Sequence, residues 1–401
     1  MSSTAVASAT AVPDNLERAI ALLESGAAER ERRGELLARA FELRSGRERP
    51  GRFWKIDVDA LDLSGIRVGE ACAPQISLPA NPAVVAVDLA TGMREHREIA
   101  QRAWGRAVDP RAAKFAALAA ALRNTGAFVY VPADIALDEP IEILYSAQGG
   151  ALFPSTLVVL ERGAQCTVVE RLRGAAGTLV CGITEIVSAE GAQVTYAVDQ
   201  QLDADTQALF TRAARPGKDA RVNWALAELG GHLCVSSLEV VVEQPGVHAD
   251  LAALFFPRED QHVDVNSNVD HRVGNSRSET LVKSAATGRG QGRYLGNIRI
   301  APHAQRTEAA LRDDALLLSP KAHIDSIPAL EIGANDVKAY HGATVGAIDD
   351  EQIFYMTSRG LEPEAAEKMI ALGFFEPAIE RFPTHALREA LRASLEEKVR
   401  S

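Results

Sequence analysis

The sequence predicts a mainly β chain, built as a stacked solenoid between helical ends, with a large β-sandwich as the alternative. Three observations carry this. From about Ala127 to residue 346 the runs "FVYV", "IEILY", "STLVVL", "TEIVSA" and "LEVVVE" are short, rich in β-branched residues and bounded by Gly, Pro and polar turns. A turn signal recurs at Pro132, Gly163, Gly191, Gly217, Gly246, Gly274, Pro302 and Gly333, at intervals of 26 to 31 residues. A fixed period of this size marks units that bury their apolar faces only by stacking. Outside these limits the apolar spacing turns helical. The resulting division is a mostly helical segment 1–126, a strand core 127–346 and a helical segment 347–401.

Residues 14–44 read as helix, with Asp14 as N-cap, Glu17 completing the capping box, and a break near Gly26 or Gly34. A mixed stretch including "FWKIDVDALDL" follows. A second helix is predicted in "DPRAAKFAALAAALRN", capped by Asp109, with Pro110 at its first position and Gly126 beyond its end. After the strands, Asp349 and Gln352 open a helix that stops at Gly360. Another runs from Pro363 to Gly373, and a last one starts near Thr384 with Leu387, Leu391 and Leu395 on one stripe. An open solenoid leaves unpaired strand edges at both ends, and the flanking helices are expected to cover them.

With 401 residues, 47% of them hydrophobic, the chain is long enough for one large core or two to three modest ones. A formal charge of −11 argues against nucleic acid and anionic membrane as partners. The start "MSSTAVASATAVPDN" lacks a charged region followed by an apolar run, so a soluble cytoplasmic protein is expected. The cysteines, Cys72, Cys166, Cys181 and Cys234, are too widely spaced for a disulfide framework or a metal knuckle, and the last three sit in strand-like runs, as core residues do.

Catalytic motifs are missing. The glycines of "TGRGQGRYLGN" precede no helix and read as a turn, and neither a phosphate loop nor a GxSxG elbow is present. Asp313/Asp314 and Asp349/Asp350 raise the carboxylate chemistry of a carbohydrate-active β-helix enzyme, but they read more simply as a solvated turn and a helix cap. The histidines at 232, 248, 262, 271, 303, 323 and 341 form no HxH or HxxxH pair, and each reads alone as a surface or hydrogen-bonded residue. On chemistry alone His341 stays unassigned.

The stretch from Gly296 to Gly360 is more specific. Its "AQRTEA" turn, "LLLSPKAHID" with Ser319 and Asp325, "PALEI" with Glu331, "DVK" with Lys338, "HGATVG" and "SRGL" with Arg359 resemble, in order and spacing, the SufB/SufD family of iron–sulfur cluster assembly proteins, in particular its SufD branch. The resemblance implies a right-handed parallel β-helix, which resolves the sandwich alternative. It implies a non-catalytic subunit that pairs with a SufB-type paralogue and binds the ABC-type ATPase SufC; a homodimer of the isolated chain stays open. No cofactor is expected to stay bound to the isolated chain; a nascent iron–sulfur cluster would pass through the complex.

By the same resemblance His341 is a cluster ligand at the interface, and Lys338, Gly342 and Thr344 belong to the strand edge that meets the paralogue. Arg359, Gly360, Met369, Phe374 and Phe375 belong to the helices that dock the ATPase. Ala339 stands where many SufD chains carry a cysteine, so this strand offers no thiolate. The essential cysteine of SufB-type chains falls at Asp313, and no cysteine follows Cys234, so the resemblance points to the SufD branch, with a SufB-like scaffold holding a cluster alone as the nearest alternative.

Overall fold

The computed structural model describes residues 12–24, 26–43, 56, 61–174 and 179–400. The reading of the N-terminus as leaderless rests mostly on residues outside this set, and so does most of "FWKIDVDALDL". Two helices open the chain, α1 (Asp14–Leu23) and α2 (Ala27–Glu42); strands β1 (Gln75–Ser77) and β2 (Val85–Asp88) follow, then helices α3 (Leu89–Glu95), α4 (Arg97–Ala103) and α5 (Lys114–Leu122). The long strand run comprises β3 (Thr125–Val131), β4 (Ile141–Ala147), β5 (Pro154–Leu160), β6 (Gln165–Gly174), β7 (Leu179–Ser188), β8 (Gln193–Leu202), β9 (Gln207–Pro216) and β10 (Arg221–Glu228). It continues with β11 (Leu233–Val242), β12 (His248–Phe255), β13 (His262–His271), β14 (Arg277–Ala286), β15 (Gln291–Ile300), β16 (Thr307–Leu317), β17 (His323–Ile332) and β18 (Val337–Ala347). Helices α6 (Asp350–Thr357), α7 (Pro363–Ile379) and α8 (His385–Arg400) close the chain.

From β3 onward successive strands alternate between two nine-stranded sheets, the even-numbered in one and the odd-numbered in the other, while β1 joins the even sheet beside β4 and β2 the odd sheet beside β3. From β3 to β18 each strand pairs in parallel with the strand two places on, so the chain is a parallel β-solenoid with helices at both ends. The turn period has a backbone cause. Asp134, Gly163, Gly191, Asp219, Gly246, Asn275 and Arg306 all have positive φ, one per coil, 27 to 31 residues apart. Only Gly, Asn and Asp reach this region cheaply, which explains most of these identities. At Gly246 a Cβ would also sit 1.8 Å from Asp219 Oδ1. These turns bond to one another: Gly163 N–H donates to the Glu190 carbonyl and Gly191 N–H to that of Lys218.

The core lies inside the coil, where inward columns such as Val194, Val222 and Ala249 stack in register. Both outer faces are also covered over much of their length. Helix α5, an alanine-rich segment with high helix propensity, buries Phe115 and its neighbours against Cys181, Leu209 and Val235. On the other face Phe375, Ile379, Leu387, Leu391 and Leu395 pack on Ala197, Ala225, Leu254 and Phe256. Strands buried on both faces read as near-continuous apolar runs.

The ends differ from expectation. At the start, β1 pairs antiparallel with β4 and β2 with β3, so strands, not helices, close the first coil. At the finish α7 and α8 lie along the flank, leaving β17 and β18 as terminal strands of their sheets. Several helix limits also move. The predicted break near Gly26 is present, but Pro13 takes the N-cap position and Asp14 falls in the first turn of α1. Asp109 accepts from the Arg111 amide in a turn, and α5 starts only at Lys114. Gly126 lies inside β3. Helix α7 runs through Gly373 and past Pro377, because burial of Ala371, Phe375, Ala378 and Ile379 against the coil overrides a local stop signal. Asp349 caps α6 as expected, and Gly360 ends it with φ +96.

Among the described residues no helix is long and apolar enough to cross a membrane. Cys166, Cys181 and Cys234 are buried core residues, and Cys72 is exposed. Burial pushes the Cys166 thiol up to about 12 and raises Cys181 and, beside Glu228, Cys234 as well. Iodoacetamide at neutral pH should therefore alkylate Cys72 alone in the folded chain, and all four thiols after unfolding. Mass spectrometry of the labelled protein checks this; prompt native labelling of Cys234 would contradict the described core.

Candidate functional site

The unpaired end of the solenoid brings together most of the motif residues. On β18, His341 lies opposite Leu311 of β16 and, coil by coil below it, Thr280, Leu251, Trp224 and Tyr196. This column faces the interior, since Tyr196, Trp224, Leu251 and Leu311 are all buried core residues. His341 is the last member of an inward column with no further coil above it, and it is exposed. Its strand carries no proline, so β18 presents a regular backbone edge. The other terminal strand, β17, contains Pro328, which has no amide to donate and is typical of an edge not used for pairing.

Beneath Ala343 sits Asp313, and beneath Thr344 sits Asp314. The expectation of a solvated acidic turn is corrected here: both are buried inside β16. Neighbours on a strand point to opposite faces. Asp313 enters the coil, where Ser326 of β17 donates to its Oδ2, while its Oδ1 is buried without a hydrogen-bond partner. Burial pushes Asp313 up to about 7, with Asp314 adding to the effect against the Ser326 bond and the Lys283 charge. Asp314 faces outward, taking Lys283 Nζ at 2.8 Å and Thr344 Oγ1 at 2.6 Å. Burial alone would raise it, but these hydrogen bonds and the Lys283 and Arg312 charges hold it below the usual carboxylate range. The two carboxyls cannot flank one glycosidic bond, and Asp349 is committed to its cap, so neither pair supports the carbohydrate-active reading.

Lys283 links the strand edge to the flanking helices. Its Nζ lies 4.5 Å from the Phe374 ring centroid, and Phe374 meets Phe375 edge-on at 5.5 Å. Phe375 is fully buried against Phe256, so of the residues assigned to ATPase docking it anchors α7 and faces no partner as the chain stands. Met369 is exposed, and the Arg359 guanidinium stacks over Tyr355 at 5.0 Å. Lys338 makes an exposed ion pair with Glu308 at 2.7 Å. With Tyr340 62% and Phe354 75% exposed, β18 and α6 carry a run of bare aromatic surface.

The other motif residues fasten coils together. Ser319 accepts from the Gly288 amide at 3.0 Å, and Glu331 accepts from Asn297 at 3.2 Å. Among the described residues no three His, Cys, Asp or Glu side chains are grouped to hold a metal ion. Deeper in the coil, Arg212 bonds Glu228 at 2.7 Å and Ser236 at 2.5 Å, both partners buried. Nearby Glu170 accepts from Tyr196 and Thr156, and burial raises its carboxyl.

Sequence reasoning missed Lys283, Ser326 and the interior Arg212 cluster. The available signal was the period itself: Lys283, Asp314 and Thr344 lie 31 and 30 residues apart, so stacking alone puts them in one column.

Residues 143–374 match the family described as SUF system FeS cluster assembly, SufBD core domain. The chain is 29% identical over 326 residues to iron-sulfur cluster assembly protein SufD of Bacillus subtilis, covering 79% of this chain and 74% of that one. It is 25% identical over 305 residues to the SufB protein of the same organism and 26% identical over the same length to a SufBD family protein of Staphylococcus epidermidis. Those two matches cover 75% of this chain and 66% of each relative, just under two thirds.

Proposed function

The chain belongs to the SUF system FeS cluster assembly family with the SufBD core domain, and from that premise we propose that it is a non-catalytic partner subunit on which a nascent iron–sulfur cluster is built. The observation that carries this reading is the bare, proline-free edge of β18 ending an inward column in an exposed His341. A SufB-type paralogue adds its own terminal strand to this edge by main-chain pairing. The imidazole then faces the joint, and thiolates, the commoner cluster ligands, come from the paralogue. In this chain the position of the SufB-type cysteine is a buried aspartate, which favours the SufD-like role over a scaffold acting alone. The nascent cluster is cargo, passed on after assembly.

The exposed Arg359, Tyr355 and Met369 surface receives an ABC-type ATPase. Movement of α7 reaches β18 through Phe374, Lys283, Asp314 and Thr344, a continuous set of contacts between docking helix and edge strand. ATP-driven displacement of the helices thereby opens the joint.

The test is co-expression with a SufB-type paralogue and a SufC-type ATPase. His341→Ala should still co-purify with both partners, while cluster formed on anaerobic reconstitution, read by iron content and visible absorbance, falls about tenfold or more. Wild-type cluster yield in an intact His341→Ala complex would overturn the ligand role. Failure of the wild-type chain to co-purify with either partner would overturn the assembly reading itself.

A further inference from the structure

At the opposite end of the solenoid from His341, α1, α2, α3, α4 and the start of β3 surround an open cavity of ≈ 970 Å³. Five arginines line it, Arg32, Arg33, Arg94, Arg97 and Arg123, against three carboxylates, Glu24, Glu29 and Asp88. This is a local excess of positive charge in a chain of formal charge −11. The carboxylates are already committed. Asp88 caps α3 by accepting from the Thr91 amide. Glu29 serves three guanidiniums: Arg32 in a fork at 2.8 and 2.9 Å, Arg33 at 3.5 Å and Arg123 at 3.7 Å. Glu24 accepts from the Gly26 amide at 2.9 Å and reaches Arg33 at 4.0 Å.

Two of the arginines are unusually dry. The side chains of Arg33 and Arg123 are 6% and 12% exposed, and Arg33 Nη1 donates to the Arg123 carbonyl at 2.9 Å, which holds the pair together. Arg33 Nε is buried and meets only Glu29, in the ion pair at 3.5 Å. Burial lowers both guanidiniums, and the Arg33 charge helps bring Arg123 down to about 10. Like charges held in a partly dry wall around one carboxylate are costly, and a bound anion offsets that cost. Beside them the Trp104 ring, 5.3 Å from Arg123 Cζ, and Met93 offer a flat apolar wall.

We propose that this cavity binds a small, multiply charged phosphate-bearing anion, held by the guanidiniums of Arg32, Arg33, Arg97 and Arg123. Planar arginine forks match phosphate oxygens, and the volume lies within the usual range for small-ligand sites. The inference is independent of the cluster-assembly reading, since it uses no residue of β16 to β18 or the C-terminal helices.

The test is calorimetric titration of the full chain with inorganic pyrophosphate and, separately, with ADP, alongside alkylation of Cys72. Cys72 lines the cavity and is the exposed thiol, so it reports occupancy directly. Saturable binding, slower Cys72 alkylation and weakening by salt are expected. Arg97→Glu, an exposed change that leaves the fold intact, should weaken binding about tenfold or more. Arg289→Glu, on the exposed turn between β14 and β15 and paired with Asp260, should not. Tighter binding of ADP with a Trp104 fluorescence change would support a nucleotide-type ligand; equal affinity would support an inorganic phosphate. The proposal is overturned if neither probe binds saturably, or if Arg97→Glu and Arg32→Glu both leave binding unchanged. Protection of Cys72 by poly-glutamate alone would also overturn it, and would make the cavity a docking place for an acidic protein segment.

Discussion

Asp313→Asn is expected to make the protein progressively more stable than wild type as pH rises from about 4 to about 7. In the folded chain Asp313 keeps its proton up to about 7, whereas unfolded it ionises near the ordinary aspartate value of 3.8. Its favourable contribution is therefore complete below the unfolded value and lost as pH climbs through the folded one. A carboxyl displaced this far carries about 4 kcal/mol of linked free energy. Asparagine cannot ionise, and so removes that share while keeping the size and an acceptor for Ser326. Asp264, also pushed up to about 7 by burial despite Arg293, titrates in the same window and leaves a residual slope. Urea unfolding at about pH 5 and about pH 8 measures the difference. Parallel curves for the two proteins would show that Asp313 does not hold a proton inside the coil.

Arg212→Leu should cost about 3–5 kcal/mol, because it strands Glu228 and Glu170 in the interior without their cation. Burial alone would lower the Arg212 guanidinium, but the two carboxylates outweigh it and hold it above its usual value. Surface arginines such as Arg162 should behave differently, with losses below about 1 kcal/mol. The double change Arg212→Leu/Glu228→Leu should recover the share due to Glu228, since a buried ion pair and an apolar pair of similar volume often come out close, while Glu170 stays without its cation. Denaturant midpoints of the two single variants and the double variant give the coupling. A single-variant cost under about 1 kcal/mol would mean that water reaches the pair.

What could be read from sequence follows the strength of the local signal. The coil period was visible because each coil needs one left-handed residue: Gly163, Gly191 and Gly246 are that residue, and Gly217 and Gly274 stand two positions and one position before it, at Asp219 and Asn275. The Leu387, Leu391 and Leu395 stripe was equally plain, and all three are buried. Strand β1 spans three residues, too few for any alternation to stand out. Helices α3 and α4 were missed because seven residues each give barely two turns of periodicity. Asp313 and Asp314 looked like surface residues because acidic pairs usually are. Their burial depends on Ser326, Lys283 and Thr344, partners 13 to 31 positions away that only stacking brings near. The arginine cavity was unreadable for a related reason, as its residues come from four separate segments and no short motif joins them.

The spacing between β18 and α6 sets how the edge responds to load. Strand β18 ends at Ala347 and α6 begins at Asp350, so a tug on α6 reaches any strand joined to β18 at one tip. Such a seam peels bond by bond, whereas a pull along its length would have to shear the whole row together. Peeling asks for little force at any instant, and it retraces the same steps on release. From that tip Val345, Thr344 and Ala343 part before His341, leaving the imidazole among the later contacts to let go.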